Sequence, residues 1–207
     1  MKHFLRQRDK NFFGVRVKSS GGNFTATQLG AIQTLAETFG RGQVHLTSRQ
    51  EISVPFIAEE NFAAVENFCA VNGLELCTNG ATLKTVTTCQ GSEICRFGLI
   101  DAPKIAREIE GRHANKIFPA KFTVGVTGCP HNCMKVDAND IGIVGAGKFK
   151  ILFGGREFLT VRDEDTLFEI VDAAINFFTT NARKGERLKD FLARIGVDEF
   201  TKHIRCE

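Results

Sequence analysis

The sequence lacks several features that would assign it to a common class of protein. No apolar run reaches the about 18 residues needed to span a bilayer, and the opening segment, "MKHFLRQRDKNFF", is too polar for a signal peptide. Lys and Arg are scattered rather than clustered, so the net charge of +3 offers no basic stripe to nucleic acid. These absences predict a cytoplasmic protein with no membrane insertion and no nucleic-acid partner.

Signals for disulfides and nucleotide cofactors are also missing. The seven cysteines are an odd number, and without an export signal they do not indicate a disulfide framework. The glycine-rich segment "GIVGAG" at 142–147 lacks the spacing of a dinucleotide fingerprint and leads into a strand. We interpret it as a hairpin turn, and we find no flavin or nicotinamide motif elsewhere.

What the sequence does contain is typical of a globular protein. The 207 residues suffice for one large domain or two small ones, and 43% of them are hydrophobic. The turn-like segment "TNGAT" at 78–82 suggests a linker. We therefore predict two domains, at residues 1–79 and 80–207.

The first domain shows alternating strand and helix patterns. Thr25 and Gln28 predict a capping box at the start of a helix, and Gly40 predicts its end. The predicted strands are 12–18, 44–47, 51–56 and 74–77, and the predicted helices are 25–39 and 58–72. The order β-α-β-β-α-β predicts an α+β ferredoxin-like half-domain.

The second domain is predicted to be of the α/β type. A strand at 83–88 leads to Cys89, and a strand at 121–127 leads to Cys129. Asp101 and the following Pro103 predict the start of a helix over 101–112. Further predicted elements are a hairpin of strands 140–145 and 148–154 and two closing amphipathic helices, around 167–178 and 188–195.

Four of the seven cysteines form two spaced pairs. Cys89 and Cys95 have the spacing C-x5-C, and Cys129 and Cys133 have the spacing C-x3-C. Each pair follows a predicted strand in a loop rich in Gly and polar residues. Four thiolates approaching from different directions are what a 4Fe–4S cluster requires.

Other interpretations of these four thiols remain open. Structural zinc sites use paired, tight knuckles with two to four intervening residues, which the longer pair matches poorly. Four unrelated core thiols are a third interpretation. By contrast, Cys69, Cys77 and Cys206 stand alone in the sequence, and we interpret the first two as small buried hydrophobic residues.

Several segments resemble the nitrite and sulfite reductase family. The segments "TCQGSEICRFG" (88–98), "FPAKFTVGVTGCPHNC" (118–133) and "DIGIVG" (140–145) resemble its sirohaem and 4Fe–4S domain. The segment "HLTSRQEI" (45–52) resembles a motif of its ferredoxin-like half-domain, and "GERLKDFLARIG" (185–196) resembles its C-terminal helix. The chain length resembles that of small, single-repeat, assimilatory-type sulfite reductases.

The resemblance implies two cofactors and a set of residues that hold them. The four implied ligands of the 4Fe–4S cluster are Cys89, Cys95, Cys129 and Cys133. In the family, the cysteine matching Cys133 also links the cluster to the sirohaem iron. The candidate catalytic residues are Arg49, Lys121 and Arg96, and the candidate cofactor-binding residues are Cys133, Arg49, Arg96, Lys121, His131 and Asn132.

Two positions depart from the family pattern, and each basic residue has a simpler explanation. Lys121 is followed by Phe122 and Thr123, where the family has Lys-Phe-Lys, and His131 stands where the family often has Asn. Among the basic residues, Arg49 could instead be a solvated strand residue, Arg96 could pair with Glu93 or with an acid elsewhere, and Lys121 could be a charge at a sheet edge. In the second cysteine pair, His131 could face solvent and Asn132 could bond its own loop.

The activity implied by the resemblance is the six-electron reduction of sulfite to sulfide. Cationic side chains suit such a site because sirohaem carries carboxylates and the substrate is an anion. An external donor, such as a ferredoxin or a reductase subunit, would supply the electrons. Alternatives are nitrite reduction and an electron-transfer subunit without turnover. Because the chain has one repeat, we expect either a homodimer in which Arg49 and Lys121 act across the interface or a single repeat that performs both tasks.

Overall fold

A computed structural model describes residues 2–114 and 116–204 of the chain. The chain divides into two compact units, Met1–Asn79 and Gly80–Glu207, and each has its own hydrophobic core. Cys206 lies outside the described residues. Within the described residues, none of the helices combines the length and the apolar character needed to cross a bilayer.

The first unit contains an antiparallel sheet and two helices. Its elements are β1 (Leu5–Arg6), β2 (Phe12–Lys18), α1 (Ala26–Phe39), β3 (His45–Leu46), β4 (Ile52–Ala58), α2 (Phe62–Val71) and β5 (Glu75–Leu76). Strand β4 pairs with both β2 and β3, and β5 pairs with the other edge of β2. From β2 to β5 the order is β-α-β-β-α-β, so the predicted ferredoxin-like fold is confirmed.

Local sequence signals determine the bounds of α1. The Thr25 hydroxyl accepts the Gln28 amide at 3.1 Å, and the Gln28 side chain accepts the Thr25 amide at 3.0 Å. This is the predicted capping box. The helix ends at Gly40, where a Cβ would lie 2.8 Å from the carbonyl oxygen of Pro55. Glycine therefore permits the close approach of α1 to β4.

The second unit contains a mixed sheet covered by helices. Its elements are β6 (Thr87–Thr88), α3 (Gly91–Ile94), α4 (Ala102–His113), β7 (Val124–Thr127), β8 (Ile141–Gly145), β9 (Phe149–Phe153), β10 (Arg156–Val161), α5 (Glu164–Asn181), α6 (Leu188–Ile195) and α7 (Val197–Ile204). The sheet order is β10-β9-β8-β7-β6. Strands β6, β7 and β8 are parallel, whereas β8, β9 and β10 are antiparallel. The predicted hairpin of β8 and β9 is confirmed.

The second unit also differs from the sequence prediction. The strand predicted at 83–88 is regular only in β6, because the Val86 amide donates to the buried Glu110 carboxylate at 2.7 Å instead of to a neighbouring strand. The sequence analysis missed β10, an edge strand of half-exposed and exposed residues. It also missed α7, a helix of eight residues in which the apolar Val197, Phe200 and Ile204 nevertheless have helical spacing.

Candidate metal centre

The cysteine pairs lie at the carboxyl ends of two neighbouring parallel strands. Thr88 of β6 pairs with Val126 of β7, so Cys89 leaves the sheet beside the end of β7. The amide of Gly128 donates to the Cys89 sulfur at 3.0 Å. The structure therefore brings together the first cysteine loop (residues 89–100) and the second cysteine loop (residues 128–135).

Backbone hydrogen bonds hold the first cysteine loop. The amide of Cys95 donates to the Gly91 carbonyl at 2.9 Å, and the amide of Gly98 donates to the Cys95 carbonyl at 2.8 Å. At the end of the loop, the Leu99 amide donates to the Gly128 carbonyl at 2.8 Å, which joins it to the second cysteine loop. The half-buried Cys95 thus lies between two turns whose geometry depends on the main chain.

Glycines allow the two loops to pack main chain against main chain. A Cβ on Gly98 would lie 2.5 Å from the carbonyl carbon of Gly91. A Cβ on Gly128 would lie 3.1 Å from the Gly91 Cα and 3.3 Å from the Cys89 sulfur. Hence these positions leave no room for a larger residue without movement of the backbone.

A side chain organises the second cysteine loop. Asn132 has a φ of 48°, and its amide group bonds both the Val136 amide, at 2.9 Å, and the Asp137 carboxylate, at 2.8 Å. The alternative in which Asn132 bonds its own loop is therefore what the structure shows, and contact with a cofactor stays a prediction. Cys129 is buried at 6% exposure, whereas Cys133 is exposed.

The donor set fits an iron–sulfur cluster. The six described cysteines are free thiols, and the Cys89 sulfur already accepts a backbone amide, the kind of hydrogen bond that tunes cluster sulfurs. Among residues 2–114 and 116–204, no three His, Cys, Asp or Glu side chains lie close enough to share a single metal ion. A 4Fe–4S cluster distributes its four cysteines over four iron atoms, so its ligands need not meet at one ion.

Arg96 and His131 both contact one exposed aromatic ring, that of Phe97. The Arg96 guanidinium carbon lies 4.5 Å from the centre of the Phe97 ring, and the His131 ring meets Phe97 edge-on with centres 4.9 Å apart. Arg96 belongs to the first cysteine loop and His131 to the second, and both are exposed. Two predicted basic residues thus lie beside Cys95 and Cys133.

Arg49 lies in the first unit, in the tight turn between β3 and β4. The Thr47 amide donates to the Glu51 carbonyl at 2.9 Å, and the Arg49 amide donates to the Thr47 hydroxyl at 3.3 Å. Arg49 is therefore a half-buried turn residue rather than the strand residue offered as the alternative. Its role at the site stays a prediction.

Lys121 lies at the opposite end of β7 from the cysteines. It is exposed and precedes the strand, whereas Cys129 follows it. An extended chain from Lys121 to Thr127 spans about 20 Å. The second unit by itself therefore does not bring Lys121 to the cysteine loops, and its catalytic role also stays a prediction.

Thr123, which replaces the second lysine of the family pattern, is part of a buried polar network. Its amide and its hydroxyl donate to one Asp140 carboxylate oxygen at 2.9 and 2.8 Å. Arg187 donates to the same carboxylate at 2.7 Å. This threonine therefore serves the fold at the start of β7.

Two residues of the site were missed in the sequence analysis. Phe97 connects Arg96 with His131, and an aromatic residue directly after the Cys-Arg pair in a polar loop was its only signal. Asp137 holds Asn132 across a turn, and no spacing in the sequence singles it out.

Comparison with known proteins gives matches over both units. Residues 79–207 match the family described as "nitrite and sulphite reductase 4Fe-4S domain". Residues 5–70 match the "nitrite/sulfite reductase ferredoxin-like half domain".

Individual relatives include both sulfite and nitrite reductases. One subunit of the anaerobic sulfite reductase of Salmonella typhimurium is 31% identical over 152 residues, covering 66% of this chain and 44% of that protein. The assimilatory-type sulfite reductase of Nitratidesulfovibrio vulgaris is 26% identical over 216 residues, covering 98% of this chain and 97% of that protein. The NAD(P)H nitrite reductase of Bacillus subtilis is 26% identical over 94% of this chain and 25% of that protein. The chain thus spans less than half of the Salmonella protein but nearly all of the assimilatory-type enzyme.

Solved structures share the fold. Dissimilatory sulfite reductase I (DsrI) superposes with a TM-score of 0.85 at 15% identity, covering 93% of this chain and 69% of that one. The NirA protein of Mycobacterium tuberculosis gives a TM-score of 0.75 at 19% identity, covering 96% of this chain and 42% of that one. Together, the matched 4Fe-4S domain and the sulfite and nitrite reductase relatives imply a 4Fe–4S cluster and sirohaem as cofactors. The chain belongs to the nitrite and sulphite reductase family.

Proposed function

We propose that this chain is a sirohaem- and 4Fe–4S-dependent reductase that converts sulfite to sulfide with electrons from an external donor. The observation that supports it most is the joining of two cysteine loops at the carboxyl ends of β6 and β7. Sulfite is preferred over nitrite because the relative covered almost end to end, at 97% of its length, is an assimilatory-type sulfite reductase.

Four thiols are assigned to the cluster: Cys89, Cys95, Cys129 and Cys133. The exposed Cys133 is the one assigned to contact sirohaem, since the other three are half-buried or buried. When bound, the cluster and sirohaem supply single electrons to the substrate in a six-electron reduction. The protein supplies the shape of the pocket and the charges around it.

The exposed cations beside Cys133 are assigned to anion binding. Arg96 presents several N–H donors suited to a carboxylate of sirohaem or to an oxyanion. Packing against Phe97 restrains its guanidinium, which reduces the entropy lost on binding. His131 can donate a proton from a ring nitrogen as oxygen leaves the substrate as water.

Arg49 and Lys121 are assigned to the substrate side of a site shared by two chains. The basis is that Lys121 lies at the far end of β7 from the cysteine loops of its own unit. In a two-fold homodimer, each chain would provide cysteines to one site and basic residues to the other. A lysine and an arginine from the partner would neutralise the anion and relay protons.

The alternative function is that of an electron-transfer subunit without turnover. The observation in its favour is that Thr123, in place of a lysine, is buried in hydrogen bonds with Asp140. Thr123 therefore offers no cation to a bound anion, in contrast to a lysine at this position. The Salmonella relative, at 31% identity, is itself named as one subunit of its enzyme.

The first test is the cofactor content and activity of the protein purified without oxygen. The proposed reductase holds about five irons, four acid-labile sulfides and one extractable sirohaem per chain. With reduced viologen it consumes sulfite and forms sulfide, and nitrite is consumed more slowly. A full cofactor content with neither anion reduced would favour the electron-transfer subunit. Zinc without sulfide would contradict both.

The shared site is tested by mixing inactive variants. Chains with Cys133→Ser lack a ligand, and chains with Arg49→Ala lack the proposed anion contact. Mixed dimers contain one site with all residues intact, so activity returns on mixing if Arg49 acts across the interface. A holoprotein that is monomeric and fully active in analytical ultracentrifugation and assay would contradict the homodimer.

A further inference from the structure

We propose that Asp137 is a positioning residue that, through Asn132, sets the direction of the Cys133 sulfur. The inference rests on the proposed function, because it treats Cys133 as the ligand next to sirohaem. It concerns Asp137, which no sequence motif assigns to the site. The chain of contacts runs from the sheet to a short turn, from the turn to Asn132, and from Asn132 to Cys133.

Asn132 is held by four hydrogen bonds. Its backbone amide donates to the Cys129 carbonyl at 3.2 Å, and its carbonyl accepts the Lys135 amide at 2.9 Å. Its side-chain oxygen accepts the Val136 amide at 2.9 Å, and its side-chain nitrogen donates to the Asp137 carboxylate at 2.8 Å. The residue directly before Cys133 therefore has little rotational freedom.

Asp137 determines which way the Asn132 amide faces. An ionised carboxylate only accepts hydrogen bonds, so it selects the nitrogen of the amide and leaves the oxygen for the Val136 amide. Asn132 also has a φ of 48°, a left-handed conformation that costs free energy in residues other than Gly and that Asn tolerates better than most. The two side-chain bonds offset that cost and keep Cys133 exposed beside the buried Cys129.

The turn that carries Asp137 is seated directly on the sheet. A Cβ on Gly142 of β8 would lie 2.7 Å from the Val136 carbonyl oxygen, and one on Gly125 of β7 would lie 2.6 Å from the Asn139 side chain. Glycines in the middle of strands mark such close approaches. Asp137 is thus held at a defined position relative to the strand that leads to Cys129.

The segment after this turn is anchored as well. Asp140 is 3% exposed, and its carboxylate accepts hydrogen bonds from Thr123 and from Arg187. Thr123 lies at the start of β7, and Arg187 directly precedes α6. Asp137 is therefore flanked by contacts with the rest of the second unit, whereas Cys133 reaches the sheet through Asn132.

The test compares Asp137→Ala with the conservative Asp137→Asn. The oxygen of an Asn side chain can still accept the Asn132 amide, so Asp137→Asn should preserve the position of Cys133. Glu169→Ala is the control, because Glu169 is an exposed carboxylate on α5 of the same unit. Two readouts are used: the midpoint potential and EPR spectrum of the reduced holoprotein, and the rate of Cys133 alkylation in the apoprotein, followed by mass spectrometry.

We expect Asp137→Ala to shift the potential and the EPR spectrum and to lower the alkylation rate of Cys133 relative to Cys89 by about tenfold, because the conformation that keeps Cys133 exposed loses a hydrogen bond to a charged group. Asp137→Asn and Glu169→Ala should match the unchanged protein. Equal potentials, spectra and alkylation rates in all variants would overturn the inference. Equal changes of potential, spectrum and alkylation rate in Asp137→Ala and Asp137→Asn would also overturn it, because the hydrogen bond to Asn132 would then not be responsible.

This outcome is independent of the proposed activity. If the unchanged protein binds the cluster but reduces no anion, the proposed reductase fails while the potential and spectrum still decide the positioning role. If it binds no cluster, the alkylation rates of the apoprotein decide it.

Discussion

The two cysteine loops are ordered by different means. The first cysteine loop is held by its own main chain, with the Cys95 and Gly98 amides bonded to carbonyls within the loop and glycines where it packs against its neighbour. The second cysteine loop also has main-chain bonds, from the Asn132 and Lys135 amides, but it depends in addition on a side chain, with Asn132 bonded to Asp137. Each means of restraint predicts its own pattern of sensitivity to substitution.

A loop ordered by its main chain tolerates the loss of most side chains but not added bulk at its glycines. A loop ordered by one amide and one carboxylate is sensitive to the loss of either. The first cysteine loop leaves Cys95 half-buried, whereas the second leaves Cys133 exposed. An exposed ligand lacks packing around it, so directional hydrogen bonds are the main restraint on its position.

The largest effect is expected from removing one ligand from each loop. Cys89→Ser and Cys133→Ser should both abolish the cluster, because serine is a poor ligand for iron in place of a thiolate. The iron and sulfide contents of protein purified without oxygen measure this. An intact cluster in either variant would remove that cysteine from the ligand set.

Cys69→Ala is the matched control for these ligand variants. Burial raises the pKa of the Cys69 thiol to about 11, with a smaller contribution from Glu66, so it remains a neutral thiol near pH 7. A neutral thiol is not a metal ligand. The variant should keep its full iron content at some cost in stability.

The next largest effect is expected from Gly98→Ala in the first cysteine loop. The added Cβ would lie 2.5 Å from Gly91, so the main chain must move. We expect a loss of about 1–3 kcal/mol in the free energy of unfolding, and we expect the variant to retain less than half of the iron content.

Gly111→Ala is the control, because Gly111 lies within α4 with nothing within 4 Å of its added Cβ. It should gain about 0.5–1 kcal/mol. Equal stabilities in urea titrations would contradict the tight packing within the first cysteine loop.

A smaller effect on stability is expected when acid protonates Glu186, which lies next to the anchor of the segment that follows the second cysteine loop. The bidentate Arg194 guanidinium, at 2.7 and 2.8 Å, lowers the pKa of Glu186 from 4.5 to about 2. Glu186 precedes Arg187, which binds Asp140 at the end of the anchored segment. Because the folded pKa is lowered, the stabilisation is complete above pH 4.5 and is lost as the pH falls towards about 2.

Thermal melts of the unchanged protein and of Glu186→Gln measure this effect. The variant should melt about 2–4 °C lower at pH 7. The difference should shrink between pH 4.5 and about 2, the range over which Glu186 takes up its proton. A difference that does not change with pH would show that the ionised carboxylate is not its source.

The smallest effect is expected from Ser92→Ala in the first cysteine loop. Ser92 is exposed and donates its backbone amide to the Ile100 carbonyl at 2.9 Å, a bond that alanine preserves. The free energy of unfolding should change by less than about 0.5 kcal/mol, with an unchanged iron content. Asn132→Ala in the second cysteine loop should cost about 1–3 kcal/mol. If Ser92→Ala and Asn132→Ala lost similar amounts of free energy of unfolding, the second cysteine loop would not depend on its side chains more than the first.

The elements with strong periodicity were predictable from the sequence. Strand β2 was predicted at its observed bounds, and the capping box at Thr25 located the start of α1. Such signals are local, because they depend on residues within one turn or one pleat. Strand β10 was missed because none of its residues is fully buried, so its pattern is weak, whereas helix α7 was missed although its apolar residues have helical spacing.

The roles of the basic residues were less predictable. The sequence placed Arg96 beside Cys95, but the contact of its guanidinium with Phe97, and of Phe97 with His131, joins two loops that are distant in sequence. Lys121 is close to Cys129 in sequence, yet the intervening strand separates them. Distance along an extended chain grows by about 3.3 Å per residue, so a short sequence interval can be a long spatial one.

The sequence by itself indicated the family, through the resemblance of several segments to it. It also determined the ferredoxin-like half-domain and the two cysteine pairs, because ligand spacing and hydrophobic periodicity are properties of neighbouring residues. Only the tertiary structure decided which loops meet, through the parallel register of β6 and β7 and the Gly128 amide on the Cys89 sulfur. It also decided that Asp137 bonds Asn132 and that Thr123 serves a buried carboxylate. Apart from the local bond between Asn132 and Asp137, these contacts depend on how the sheet brings distant segments together, which no local pattern encodes.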